Sequence, residues 1–338
     1  MKRSLKLFAV SLVVGSVLSS VGVVMIRRAN VNISSVYDII EENLQSGDSQ
    51  IRYQKAEPFD ISDIKGGTLS DEARYQLNEF NTIEVYAENC TVEFKPTDDD
   101  FMRISIAHPD KFNNKVFLRT AVENGTLYVQ DNLTGVTNGV KDIVINVSVP
   151  DNYKGGYSLN GSNAEVKLCD LESAMDMSFN LYNSAVSAQT LSAGEVVFEM
   201  SGTTVSAGEI HSRGEFSLSG ISSVMKTDML EAVSSRINVN NSTLNIGNIV
   251  GGVSADMKMS AANLDFLSVT GNISAVASES RLNIKIPNDS PVSLRHEESY
   301  SSFSDKVKWT DEGQKNENSR YFIETTVKFS IVTLEEKE

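Results

Sequence analysis

Between Tyr157 and Pro287 the chain repeats itself about every twenty residues, and this rhythm restricts the fold more than any other feature. Each segment opens on an apolar alternation, at Tyr157 and Leu159, Phe179 and Leu181, Phe198 and Met200, Phe216 and Leu218, Ile237 and Val239, and Met257 and Met259. A small polar turn follows, and then a second alternation: Val166 and Leu168, Val186 and Ala188, Val205 and Ala207, Met225 and Thr227, Leu244 and Ile246, Leu264 and Phe266, Leu282 and Ile284. The first members of these seven pairs lie 20, 19, 20, 19, 20 and 18 positions apart. Three positions after the first six pairs stands a further apolar residue, at Leu171, Leu191, Ile210, Leu230, Ile249 and Val269, suited to turning a corner inward.

A repeat of this length with two period-2 runs is too short for a helix-turn-helix unit and lacks the Leu and Asn pattern of a leucine-rich horseshoe. It reads as an all-β fold, a single-stranded parallel β-helix (β-solenoid), in which alternate side chains fill a narrow core. Seven coils stacked at ~4.8 Å would make a rod of roughly 34 Å. Asn160, Tyr182, Ser201, Ser219, Asn240, Ser260 and Ser278 follow the leading pairs and are expected to stack as a polar ladder along one edge, where Ser and Asn tolerate a tight bend.

Upstream, alternations at Ile83 and Val85, Val92 and Phe94, Ile104 and Ile106, Leu127 and Val129, and Ile143 to Val149 predict entry coils, so the solenoid is expected over 79–287 with regular coils over 157–287. After Pro287 the rhythm stops, and 288–338 is expected to form an irregular β cap that protects the open end of the stack. Residues Leu7 to Ile26 are uncharged and strongly apolar, bracketed by Lys2, Arg3 and Lys6 and by Arg27 and Arg28. That length crosses a bilayer as a helix, so 1–28 is expected to be an N-terminal transmembrane anchor, a cleaved secretory signal being the competing reading. The slight excess of positive charge before the span predicts a single-pass cell-membrane protein whose C-terminal domain is extracytoplasmic. Residues 29–78 are polar, with one short helical pattern at Val36 to Leu44, and are expected to form a stalk.

Little in the chain points to catalysis. Forty-five acidic against 30 basic residues give a net charge of −15, which disfavours nucleic acid as a partner. Cys90 and Cys169 have no zinc-like spacing and are expected to remain unpaired thiols, Cys90 facing inward and Cys169 outward. His108, His211 and His296 stand in unrelated contexts, and His211 is expected to be a solvated turn residue. Asp98, Asp99 and Asp100 lack the glycine and distant glutamate of a calcium loop and are expected to form an exposed hairpin turn. Parallel β-helices can host polysaccharide-degrading enzymes, which need clustered carboxylates. Here the outward row beside the second pairs, Lys167, Ser187, Ser206, Lys226, Asn245, Asp265 and Asn283, contains a single acid, Asp265. The leading strands turn out Ser158, Asn180, Glu199, Ser217, Asn238 and Lys258, and no aromatic sugar platform is legible, Tyr182 standing alone and Trp309 lying outside the solenoid. No catalytic residue, metal ligand or cofactor is therefore predicted.

The opening FNTIEVYAENCTVEFKPTDDDFMRISI, the strand-to-proline element DIVINVSVP, the turns SLNGSNAEVKLCDL and FEMSGTTVSAGEI, and the closing NIKIP resemble the bacterial "putative adhesin" family of domains of unknown function, over about Phe80 to Ile331. That resemblance implies a membrane-anchored β-solenoid at the cell surface that interacts, and it supplies no catalytic site. The Ser-Gly-Asp turn common in such proteins appears here as Ser-Gly-Thr at 201–203 and Ser-Gly-Ile at 219–221, so an ion-binding acidic ladder is not expected. The expected function is a non-enzymatic, adhesin-like binding or scaffolding module, with an envelope polymer, a membrane or surface protein, or a second copy of itself as partner. The alternative is an accessory or sensor of an envelope-stress or signalling system, and a polysaccharide-active enzyme ranks third.

Overall fold

A computed structural model describes residues 68–108, 116–131, 142–288, 290–307, 309 and 319–337. The expected membrane span Leu7 to Ile26 and the helical pattern at Val36 to Leu44 lie outside the described residues. Among the described residues there is no helix long and apolar enough to cross a membrane.

The chain begins with β1 (Thr68–Ser70), β2 (Glu72–Gln76), β3 (Thr82–Glu88), β4 (Thr91–Thr97), β5 (Phe101–Ala107), β6 (Leu118–Glu123), β7 (Thr126–Asp131) and β8 (Val144–Pro150). The middle comprises β9 (Gly156–Ser162), β10 (Glu165–Leu168), β11 (Leu171–Glu172), β12 (Met177–Tyr182), β13 (Ala185–Ala193) and β14 (Val196–Ser201). Four long strands then bend around corners: β15 (Thr204–Ile221), β16 (Val224–Asn240), β17 (Thr243–Lys258) and β18 (Ala261–Ser278). The chain closes with β19 (Arg281–Pro287), β20 (Val292–Ser299), β21 (Ser302–Asp305), β22 (Tyr321–Lys328) and β23 (Ile331–Lys337).

Parallel pairing stacks these strands into a solenoid. Val166, Val186, Val205, Met225, Leu244, Ala262, Leu282 and Val332 are successive register partners and form one inward file, every member buried. A second file runs Leu159, Phe179, Phe198, Leu218, Ile237, Ala255 and Ala275, with the Phe179 and Phe198 rings stacked at 4.6 Å. The coil repeat read from the sequence is therefore present, but its register needs correction in places. Tyr157, Phe216 and Met257 are inward yet sit one inward position away from the Phe179 file, and Leu264 pairs with Ile246, so that Ala262 continues the Leu244 file. Phe266, not Val269, follows Ile249. A slip of two residues keeps a side chain on the same face, so alternation alone identifies the face and not the register.

The edge ladder also lies elsewhere than expected. In successive coils Asn163, Asn183, Gly202, Ser222, Asn241, Met259, Glu279, Phe329 and Tyr300 adopt positive φ, between 47° and 57°. The next residue turns inward, and from Ser184 onward it carries a hydroxyl: Ser184, Thr203, Ser223, Ser242, Ser260, Ser280, Ser330 and Ser301. Except for Ser301, these hydroxyl residues are buried. Each of the buried hydroxyls donates at 2.7–3.0 Å to the carbonyl two residues earlier. Each also accepts, at 3.0–3.4 Å, the backbone N–H of its counterpart one coil before, and Ser301 accepts from Ser330 in the same way. Of the row expected from the sequence only Ser260 belongs to this ladder. Tyr182, Ser201, Asn240 and Ser278 share a separate file, and Asn160 and Ser219 another.

Spatial order departs from chain order at both ends. The β3–β4 coil lies between the β7–β8 coil and the β9–β10 coil. At the other end β22 and β23 stack on β18 and β19, and β20 and β21 stack outside them. Residues after Pro287, expected as an irregular cap, thus add two more parallel coils. The outer edge of β7–β8 is covered by antiparallel β6 and β5, which are flanked by β1 and β2. The last part of the segment expected to be a stalk therefore carries strands β1 and β2. Asp98 to Asp100 join β4 to β5, but β5 pairs with β8 and β2, so this is a crossover turn and not a hairpin.

Replacing Ser242 by Ala removes the acceptor for the buried Ser223 N–H and is expected to lower unfolding stability by about 1–3 kcal/mol. Ser278→Ala, in the neighbouring half-exposed file, should change it by less than about 0.5 kcal/mol. Urea denaturation of the two variants side by side checks both.

Candidate functional site

The residues weighed as catalytic candidates do not converge. Asp265 pairs in register with Lys285, not with the outward row in which Asn263 takes its place, and its carboxylate lies 2.9 Å from Lys337 Nζ. Glu93 stands at the start of that row and is held below the usual carboxylate range by hydrogen bonds from Lys95 and Lys167. His211 sits within β15 and not in a turn, its ring spanning Glu209 at 3.1 Å and Glu231 at 3.0 Å. His296 is half-buried at the last coil, 2.7 Å from Thr325 Oγ1 and stacked on Phe303. Cys90 and Cys169 are free thiols. Burial pushes Cys169 up to about 11 and Cys90 higher still, so neither is a ready nucleophile. Among the described residues no group of three or more His, Cys, Asp or Glu is placed to hold a metal ion.

The surface feature that does stand out lies at the end of the left-handed corner. Along the first coils that position is filled by Asn163, Asn183, Gly202, Ser222 and Asn241, mostly types that tolerate positive φ. In the last coils it holds Met259, Glu279, Phe329 and Tyr300, for which the left-handed region costs roughly 1–2 kcal/mol each. Phe329 and Tyr300 stack face to face with centroids 5.4 Å apart and planes 12° from parallel. Tyr300 is 85% exposed and Phe329 51%, while Lys328 Nζ lies 5.7 Å from the Phe329 ring. Ile331, 54% exposed, flanks Phe329 across the buried Ser330. Glu279 and Arg281 flank Ser280 in the coil below in the same way, so an apolar patch adjoins a charged shelf.

The core does not require this patch. The inward positions of the last coil turn polar at His296, Glu298 and Asp305, register partners of Thr325, Val327 and Leu334. The Trp309 indole N–H donates to Asp305 at 2.8 Å. The core is thus closed by groups that accept water, as the end of a solenoid requires.

The aromatic pair is not legible in the sequence, because Tyr300 and Phe329 are 29 residues apart and meet only through the exchanged order of the last two coils. A signal was present: Tyr300-Ser301 and Phe329-Ser330 repeat the pattern of Asn183-Ser184 and Asn241-Ser242, with an aromatic residue where Asn belongs.

A protein-family model described as Toastrack DUF4097 matches residues 80–332. No curated protein matches the chain. Among solved structures, a "putative adhesin" from Bacteroides fragilis NCTC 9343 is similar at 14% identity and TM-score 0.39, over 81% of this chain and 98% of that one. Another from Parabacteroides merdae ATCC 43184 is similar at 12% identity and TM-score 0.36, with the same coverage of both chains. A third, from Parabacteroides distasonis ATCC 8503, has 14% identity and TM-score 0.34, over 80% of this chain and 98% of that one.

Two outcomes follow from these environments. Met259→Asn places a residue that tolerates the left-handed region where Asn163, Asn183 and Asn241 already stand, and is expected to raise stability by about 1 kcal/mol in thermal or urea unfolding. Burial alone would lower the His211 pKa, but its bonds to Glu209 and Glu231 outweigh that, and the ring titrates above its ordinary value. The resulting stabilisation is complete below the ordinary histidine pKa and is lost as pH rises through the folded value. The urea midpoint should therefore fall between about pH 6 and about pH 8 by more in the parent protein than in His211→Asn.

Proposed function

The chain belongs to the Toastrack DUF4097 family, and we propose that it is a non-enzymatic, adhesin-like binding module, held at the cell membrane with its solenoid on the extracytoplasmic side. Membrane attachment is supported by the apolar, basic-flanked stretch Leu7 to Ile26. The observation that carries the binding reading is the exposed Tyr300–Phe329 stack. Two bulky aromatic residues occupy left-handed positions that Asn and Gly fill in earlier coils, and their rings face solvent. Strain of this kind accumulates where function demands a side chain that the backbone disfavours.

A solenoid suits such a role. Parallel hydrogen bonds tie β20 and β21 to β22 and β23, so the corner between them is positioned by the stack beneath it. The surrounding charges, Glu279, Arg281 and Lys328, keep the patch soluble until it is covered.

The test uses the full chain in detergent micelles and purified bacterial envelope fragments, with co-sedimentation as the readout. The double variant Tyr300→Asn, Phe329→Asn relieves the backbone and should fold at least as well, yet co-sediment about fivefold less or weaker still. Equal co-sedimentation of parent and variant would sink the binding-corner reading.

A further inference from the structure

The geometry points to the chemical class that the corner binds: the flat face of an equatorially substituted, β-linked pyranose ring in an envelope polysaccharide. This inference rests on the reading of the corner as a binding site and specifies its ligand.

One ring face is on offer. Phe329 stacks beside Tyr300 on its inner side, and Tyr300, 85% exposed, turns its other side along the stack beyond the last coil. The two rings follow the spacing of the coils, so the next position in the series is suited to another flat, ring-sized body. A pyranose whose substituents are all equatorial presents only axial C–H bonds on its faces, and those weakly positive hydrogens meet the negative face of an aromatic ring.

Hydrogen-bond donors border that face. In the coils below, the left-handed residue gives its N–H to a carbonyl of the next coil, as Asn183 does to Ser201, Met259 to Ser278 and Phe329 to Ser299. The following residue gives its N–H to the next hydroxyl of the ladder, ending with Ser330 to Ser301. Among the described residues nothing accepts the N–H of Tyr300 or Ser301. An aromatic face beside two backbone donors suits an amphipathic ring with hydroxyl or acetamido oxygens on its rim.

Other occupants fit less well. The apolar patch of Tyr300, Phe329 and Ile331 is far smaller than the area of about 1,200 Å² or more that a stable protein interface buries. A second copy laid on the last coil would also desolvate Arg295, Glu297, Glu298 and Asp305. The acidic chain, with Glu279, Glu297 and Glu298 near the corner, does not suit an anionic lipid surface.

The experiment titrates the full chain in micelles with cellotetraose, chitotetraose and β-linked galactotetraose, reading saturation transfer to the sugar protons by NMR and affinity by calorimetry. The two glucose-configured probes should bind, and the galactose probe, whose axial oxygen breaks the flat face, about tenfold less tightly. Tyr300→Ala should abolish binding, Tyr300→Phe should keep it within about twofold, and an unchanged urea midpoint would show that both are folded. No transfer to any probe, equal binding of all three, or binding that survives Tyr300→Ala would overturn the inference. A monomer–dimer equilibrium lost in Tyr300→Ala would overturn it in favour of a second copy. If glycan binding fails while envelope co-sedimentation still depends on Tyr300 and Phe329, the sugar assignment falls and the binding corner stands.

Discussion

The structure depends on one repeated interaction: a buried hydroxyl that follows a left-handed residue and, from Ser184 onward, joins each coil to the one before. A parallel strand stack gains hydrogen bonds easily along its faces, but its corners leave N–H groups that cannot all reach a carbonyl. Here the hydroxyl accepts such an N–H and returns its own proton to the carbonyl two residues earlier. An apolar side chain at this place would leave a buried donor unpaired in every coil. The same arrangement fixes register, because each hydroxyl must meet its counterpart and a slip would break the series at once.

Given that ladder, the core needs only complementary volume. Small residues are set among large ones in the files, as where Gly220 stands between Met200 and Val239. A Cβ on Gly220 would lie 3.4 Å from a Val239 methyl, so the space that glycine leaves is taken up by its neighbours. The two ends are finished differently, one by antiparallel strands and the other by polar inward groups. The second solution leaves the aromatic corner standing clear of the fold's own needs.

Much of this was legible from residue order. Val186, Val205 and Leu244 lie in a common inward file, as their spacing required, and Cys90 turns inward as its phase indicated. Register within a face was less legible, since Tyr157, Phe216 and Met257 are as apolar as the residues they were aligned with and a two-residue slip conceals itself. The ladder was placed beside its true position because several adjacent residues in each turn are Ser or Asn, and only the folded backbone shows that Ser242, not the equally buried Asn240, meets the Ser223 N–H. The aromatic pair was hidden for another reason: neighbours in space that arise from an exchange of coil order leave no local trace. Asp265 drew notice as the one acid of a row to which it does not belong, and the ion pair with Lys337 comes from a strand far along the chain.

That exchange of order bears on how the molecule is made. A ribosome delivers β20 and β21 before β22 and β23, although the later pair must occupy the tier directly above β18 and β19. The earlier pair therefore has to wait, or dock in the wrong tier and yield. At the opposite end β3 and β4, among the first strands to emerge, are enclosed only after β7 to β10 arrive on both sides of them. Growth by simple addition thus serves the interior alone: one extremity closes like a buckle whose tongue is threaded last, and the other holds its earliest strands open until later ones grip them from two directions.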